Sequence, residues 1–159
     1  MKKFILFFVL TLFWMTGQTQ IAVKGIKLGT YYYGTDVIQT TLGNIKGVLA
    51  IEQLNDKRII SIFFFPSKNG YVEKVDFYDF NKLKLGIENH YGIIFKKIMD
   101  KVNSNNYKLI ANKNGVTYSC LVEISRNEYK PYKIGFSFTN QKLLKIKMQL
   151  EQRKSNVDF

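Results

Sequence analysis

Side chains that commonly perform acid–base or nucleophilic chemistry are few in this sequence. The chain has one histidine, His90, and one cysteine, Cys120. Histidine is the usual general base near neutral pH, and a structural zinc site needs four Cys or His ligands. The acidic residues are scattered, so nothing in the sequence pairs two carboxylates for glycoside hydrolysis. Glycine-rich phosphate loops and nucleophile-elbow motifs are also absent from the sequence. The sequence therefore predicts no catalytic residues, no metal and no cofactor.

The clearest candidate for a binding surface is a run of three tyrosines, Tyr31, Tyr32 and Tyr33. If this segment is extended, Tyr31 and Tyr33 share one face and Tyr32 takes the other. Tyrosine is enriched at binding surfaces, where its ring can stack on a sugar or an aromatic group. Gly29 and Gly34 flank the run and allow the backbone to bend. We expect the tyrosines to contact a partner; the alternative is a solvated edge with one packed face.

A strong positive charge is the second indication of a partner. The formal charge is +12, and only three of the 24 basic residues are arginine. Such a charge attracts anionic partners, which include envelope glycolipid, glycan and nucleic acid. Bidentate contacts to phosphates and bases favour arginine over lysine, however, and a lysine-rich composition can also follow from AT-rich codons. Polyanion binding is therefore the second hypothesis for function.

The first 19 residues have the order of a secretory signal peptide. Lys2 and Lys3 precede the apolar run FILFFVLTLFWM, and small residues at Gly17 and Thr19 fit the positions before a cleavage site. The run is shorter than the ~20 residues that a transmembrane helix needs. No cysteine follows it to carry a lipid anchor, and no later run is long enough for a transmembrane segment. We predict export to the periplasm or the extracellular space, with Gln20 as the first mature residue.

The remaining residues, 20–159, suit a single domain. Residues 47–65 predict a β-hairpin whose second strand is apolar on both faces, is central in a sheet and ends at Pro66. Apolar residues at spacings of three and four predict a helix over about 77–91, with Asp76 as N-cap and Gly92 as its stop. Gly86 weakens this helix, which could instead continue through Ile94 and Ile98. We expect it to end at Gly92 and to be followed by a strand over 93–99.

The last third of the chain predicts further hairpins. Asn114-Gly115 is a strong turn signal between alternating segments at 107–111 and 116–125, and 134–138 alternates in the same way. Cys120 falls on the apolar face of the second segment, which predicts a buried thiol. Residues 144–150 also alternate and predict a strand, although Leu143, Ile146 and Leu150 would fit a helix. The polar segment 151–159 should fray.

These elements predict an α+β fold, mostly antiparallel sheet built from hairpins, with one main amphipathic helix packed on one face. A leader followed by hairpins and a helix is typical of small exported bacterial proteins. The first hypothesis is an exported, soluble, non-catalytic binding protein whose partner is a protein or a glycan. Lysine-rich polyanion binding is the alternative, and a small hydrolase is the third.

Overall fold

The computed structural model describes residues 21–68, 71–99, 106–124 and 132–155, and the predicted leader and its cleavage site lie outside them. The described residues form ten strands and two helices. In chain order these are β1 (Ala22–Val23), β2 (Ile26–Lys27), β3 (Val37–Leu42), β4 (Ile45–Gln53), β5 (Ile59–Lys68), β6 (Tyr71–Val72), α1 (Phe77–Tyr91), β7 (Lys96–Met99), β8 (Asn106–Lys113), β9 (Val116–Ile124), β10 (Tyr132–Asn140) and α2 (Gln141–Ser155).

One antiparallel sheet dominates the fold, and the α+β prediction is confirmed. Its strand order is β3-β4-β5-β10-β9-β8-β7, with β6 paired to the end of β5 and β1 paired to β2 separately. The interior position predicted for the strand after residue 58 is also confirmed, because β5 pairs with β4 on one side and β10 on the other. This strand continues through Pro66 to Lys68 rather than ending at the proline, since β6 pairs with its last residues.

Helix α1 covers one face of the sheet, which we call the α1 face. Asp76 caps the helix by accepting a hydrogen bond from the Asp79 backbone N–H at 2.8 Å. Gly92 ends the helix in the left-handed conformation, at φ 59°, and both predicted boundaries are confirmed. The residues of α1 that are buried against the sheet are Phe80, Leu83 and Ile87. They join a core that includes Leu49, Phe64, Tyr118, Phe136 and Phe138.

The second helix corrects the strand predicted over 144–150. Asn140 caps it, because the Asn140 Oδ1 accepts hydrogen bonds from the backbone N–H groups of Lys142 and Leu143, each at 3.1 Å. Leu143 is buried against Leu54 and Ile60, while Met148 is exposed. A strand with period two would have placed Leu143 on the polar face. The helix also continues to Ser155, so the first half of the predicted polar tail is ordered as helix.

Helix α2 lies over one end of the opposite face of the sheet, which we call the α2 face. The Lys147 ammonium bonds to the Glu52 carboxylate on β4 at 2.6 Å, which attaches the middle of the helix to the sheet. The predicted strand over 93–99 begins later than expected, at Lys96. Ile93 and Phe95 instead have buried side chains that join the core on the α1 face.

Candidate functional site

The three tyrosines lie beside the turn between β4 and β5. Tyr31 forms an isolated antiparallel bridge with Arg58. Its side chain is 62% exposed and that of Tyr33 is 80% exposed, whereas Tyr32 is partly buried and packs against the core. The described segment therefore presents two phenol rings to solvent on either side of a packed one.

The backbone that carries these rings is held by Tyr32. The Tyr32 N–H donates to the Lys57 carbonyl at 3.0 Å, and the Gln53 side-chain amide donates to the Tyr32 carbonyl at 2.7 Å. The Tyr32 hydroxyl donates to the Thr35 carbonyl at 3.2 Å, which folds its ring over Gly34. A side chain at Gly34 would collide with that ring, because its Cβ would lie 2.4 Å from the Tyr32 hydroxyl. Gly34 lies at a bend in the backbone and also leaves room for the Tyr32 ring.

A charged pair borders the tyrosines. The Arg58 guanidinium bonds to the Asp56 carboxylate, with Nη2 and Oδ2 2.7 Å apart. Hydrogen bonds from Arg58 lower the pKa of the Asp56 carboxyl. Both groups are largely in solvent, so the pair adds little to stability and fixes the position of the guanidinium beside Tyr31.

The residues with catalytic side chains are not assembled into a site in the described part of the chain. His90 is exposed near the end of α1, with its ring edge against Tyr91 at a centroid distance of 4.6 Å. Cys120 is fully buried, as its place in an alternating strand predicts, and burial raises the pKa of its thiol. Among the described residues there is no group of three or more His, Cys, Asp or Glu side chains that could hold a metal ion.

Part of the positive charge lies on the α2 face beyond the helix. The strand pairings place Lys96, Lys108 and Lys133 on this face. Lys96 and Lys108 are diagonal neighbours on β7 and β8, while Lys133 on β10 lies opposite Glu123. Leu121 on β9 has an exposed side chain, and it pairs with Lys108 on β8 and with Gly135 on β10. This end of the face is therefore mixed, with lysines around apolar side chains.

A cavity of about 510 Å³ opens between α1, the β1–β2 hairpin and the turn between β3 and β4. Most of its lining is apolar, and the charged or titratable residues that border it are Lys24, Asp79, Lys82, His90 and Tyr91. Gly86 of α1 also borders it. Nothing in the sequence pattern could have indicated this cavity, because its walls come from four segments that only the fold brings together.

Comparison with known proteins gave no match to any family model, curated protein or solved structure. A search of the described residues for a helix long and apolar enough to cross a membrane found none.

Proposed function

We propose that this protein is exported and acts as a non-catalytic binding protein that contacts a protein or glycan partner through Tyr31 and Tyr33. The observation that carries the proposal is the exposure of both rings on a backbone fixed by Tyr32. The signal-peptide pattern of residues 1–19 supports export.

A fixed backbone matters because binding costs conformational entropy. Immobilising a flexible side chain at an interface costs about 0.5–1.5 kcal/mol, and ordering a loop costs more. A tyrosine has only two side-chain torsions, and its ring offers a large, amphipathic contact area. Three hydrogen bonds already hold Tyr32 to its surroundings. The two exposed neighbours can therefore stack on a sugar ring or an aromatic side chain with little further ordering.

The test compares single alanine variants, each of which removes one tyrosine ring. Native electrophoresis through gels that contain one soluble polysaccharide each, from a panel, measures retention of the folded protein. Tyr31→Ala and Tyr33→Ala should lose the retention shown by the wild type. Tyr71→Ala is the matched control, because Tyr71 is 79% exposed on β6, away from this segment. Tyr32→Phe keeps the ring and removes only the hydrogen bond to Thr35.

The same variants also test a protein partner, by chemical cross-linking to the surface of the producing cell followed by identification of the linked protein. A partner that is lost in Tyr31→Ala and Tyr33→Ala, and retained in Tyr71→Ala, supports the proposal. If every folded variant retains both the polysaccharide and the cross-linked partner, the tyrosines form only a solvated edge and the proposal is wrong.

Polyanion binding is the second candidate, supported by the lysines on the α2 face. Lysine contacts to an anionic polymer release counterions, so affinity should fall steeply with salt. The double variant Lys108→Gln/Lys133→Gln should elute from heparin at lower salt than Lys27→Gln/Lys82→Gln, which removes equal charge elsewhere. Equal elution of the two would show that only net charge is involved.

A further inference from the structure

We infer that the cavity under α1 binds a small amphipathic anion, with an apolar chain inside the cavity and a carboxylate at its mouth. This site is separate from the tyrosine surface, because none of Tyr31, Tyr32 and Tyr33 lines the cavity. The two proposals can therefore fail independently.

The interior of the cavity suits an apolar chain. Val23, Leu83, Ile87 and Phe138 in its walls are buried, and Leu42 packs partly against the same core. Small-molecule sites commonly have volumes of about 300–1,000 Å³ and are lined mainly by apolar side chains with a few polar groups at defined positions. A cavity of about 510 Å³ falls within this range. The apolar walls would not replace the hydrogen bonds that a polar ligand makes with water.

The mouth of the cavity favours a negative group. Lys24 and Lys82 border it, and within the described residues neither forms a salt bridge. Asp79 is the only acidic residue among those that line the cavity. An ammonium beside a low-dielectric wall attracts a carboxylate more strongly than one in open water does. Two lysines against one aspartate therefore select an anion over a neutral or cationic head group of the same size.

One hydrogen bond joins two of the segments that line the cavity. The Tyr91 hydroxyl donates to the Ala22 carbonyl at 2.8 Å, which joins the end of α1 to the β1–β2 hairpin. This donor is already used, so the phenol supports the cavity and leaves recognition of the head group to the lysines. The hairpin forms one side of the cavity and the helix forms another.

Gly86 keeps the opening clear. It lies one helical turn after Lys82 and one before His90, so the three share a stripe along α1. A Cβ added at Gly86 would meet no heavy atom within 4 Å. Alanine therefore fits at this position without a clash, and a longer side chain would add bulk at the lining of the cavity, which makes Gly86 the residue on which to test the site.

The experiment uses dodecanoate, below its micelle concentration, as the probe and isothermal titration calorimetry as the measurement. The wild type should bind one equivalent. Gly86→Leu should weaken binding by about tenfold or more, because its side chain occupies the opening. Gly86→Ala is the matched control. Like Gly86→Leu it raises the helix propensity of this position, but it adds only a methyl group, so it should bind as the wild type does.

A second arm tests the charge. Dodecanol should bind more weakly than dodecanoate, and Lys24→Gln/Lys82→Gln should reduce the affinity for dodecanoate to that for dodecanol. Amide shifts in the wild type give a measurement that needs no variant, and they should concentrate at Ala22, Ile45 and Ile87.

Three results would overturn the inference. The first is no heat and no shift up to the solubility limit of the probe. The second is binding that Gly86→Leu leaves unchanged, or shifts confined to residues outside the cavity, because either would place the probe elsewhere. The third is equal affinity for dodecanoate and dodecanol, which would exclude an anionic head group. Loss of polysaccharide retention in the tyrosine variants bears on none of these results.

Discussion

At the scale of single residues, a partly buried phenol, Tyr91, and a fully buried one, Tyr118, differ in how their hydroxyls are satisfied. Tyr91 and Tyr118 pack against each other with ring centroids 5.2 Å apart. The Tyr91 hydroxyl bonds to the Ala22 carbonyl, whereas the Tyr118 hydroxyl has no hydrogen-bond partner among the described residues. Removal of the hydroxyl is therefore expected to change the free energy of unfolding differently at these two neighbouring tyrosines.

Tyr91→Phe should lower the free energy of unfolding by about 1 kcal/mol, the typical net value of one hydrogen bond. Tyr118→Phe should leave it unchanged or raise it, because an unsatisfied buried polar group costs about 1–3 kcal/mol and the substitution removes that group. Urea denaturation of both variants measures the difference. If Tyr118→Phe destabilises the protein as much as Tyr91→Phe does, its hydroxyl is satisfied after all.

The same phenols predict a loss of stability at alkaline pH. Burial raises the pKa of both Tyr91 and Tyr118 to about 12. In the unfolded chain a tyrosine ionises near pH 10, so above that pH the unfolded state loses its protons first. Their contribution is complete below pH ~10 and is lost as the pH rises toward 12. Urea midpoints over this range should fall less steeply for Tyr91→Phe/Tyr118→Phe than for the wild type; parallel curves would contradict the assignment.

The burial or capping role of a single residue could be predicted from the sequence where it depends on residues nearby in the chain. Burial of Cys120 follows from alternation, and the cap at Asp76 follows from its place before an apolar stripe. The ion pair between Lys147 and Glu52 could not be predicted, because 95 residues separate the partners. Only the packing of α2 on the sheet brings them together.

At the scale of elements, α2 shows why alternation can mislead. Leu144, Ile146, Met148 and Leu150 satisfy a period of two, but the apolar side chains of α2 that pack against Leu54 and Ile60 are those of Leu143, Leu144 and Ile146. The helix is amphipathic only over its first turns, and its last turns are exposed all round. A short apolar stripe of this kind gives a weak helical period, and Asn140 supports the start of the helix as its N-cap.

Asn140→Ala should therefore destabilise the protein by about 1 kcal/mol, because it removes the acceptor for two backbone N–H groups at the start of α2. Asn140→Asp keeps the acceptor and is the matched control. Thermal unfolding followed by circular dichroism measures both variants. Equal melting temperatures for Asn140→Ala and the wild type would show that packing of Leu143 alone fixes the helix.

Gly86 and Gly92 lie in or beside α1 with different consequences. Gly92 adopts a left-handed conformation that ends the helix, which the sequence predicts from its position alone. Gly86 costs the helix about 1 kcal/mol relative to alanine and has no conformational need for glycine in a helix interior. Gly86 borders the cavity, and alanine would fit at this position, because no heavy atom lies within 4 Å of where its Cβ would be.

At the scale of the whole molecule, the two helices cover the sheet unequally. Helix α1 packs on one face and borders the cavity, while α2 lies over one end of the other face and leaves Leu121 and the nearby lysines exposed. The fold class could be predicted from turns and periodicity, because these are local. The cavity and the uncovered face could not, because they depend on how elements distant in sequence meet.

Export is the prediction that concerns the whole chain, and it rests on the order of charge, apolar run and small residues before Gln20. Cleavage should remove Trp14, the only tryptophan, together with Lys2 and Lys3, which lowers the net charge from +12 to +10. The protein recovered outside the cytoplasm should therefore begin near Gln20 by N-terminal sequencing and show tyrosine emission without tryptophan emission.

The variant Leu6→Asp/Val9→Asp interrupts the apolar run and should remain in the cell with Met1 intact. Recovery of the wild-type protein outside the cytoplasm with Met1 and Trp14 still present would contradict cleavage, and an unchanged distribution of the Asp variant would contradict the leader itself.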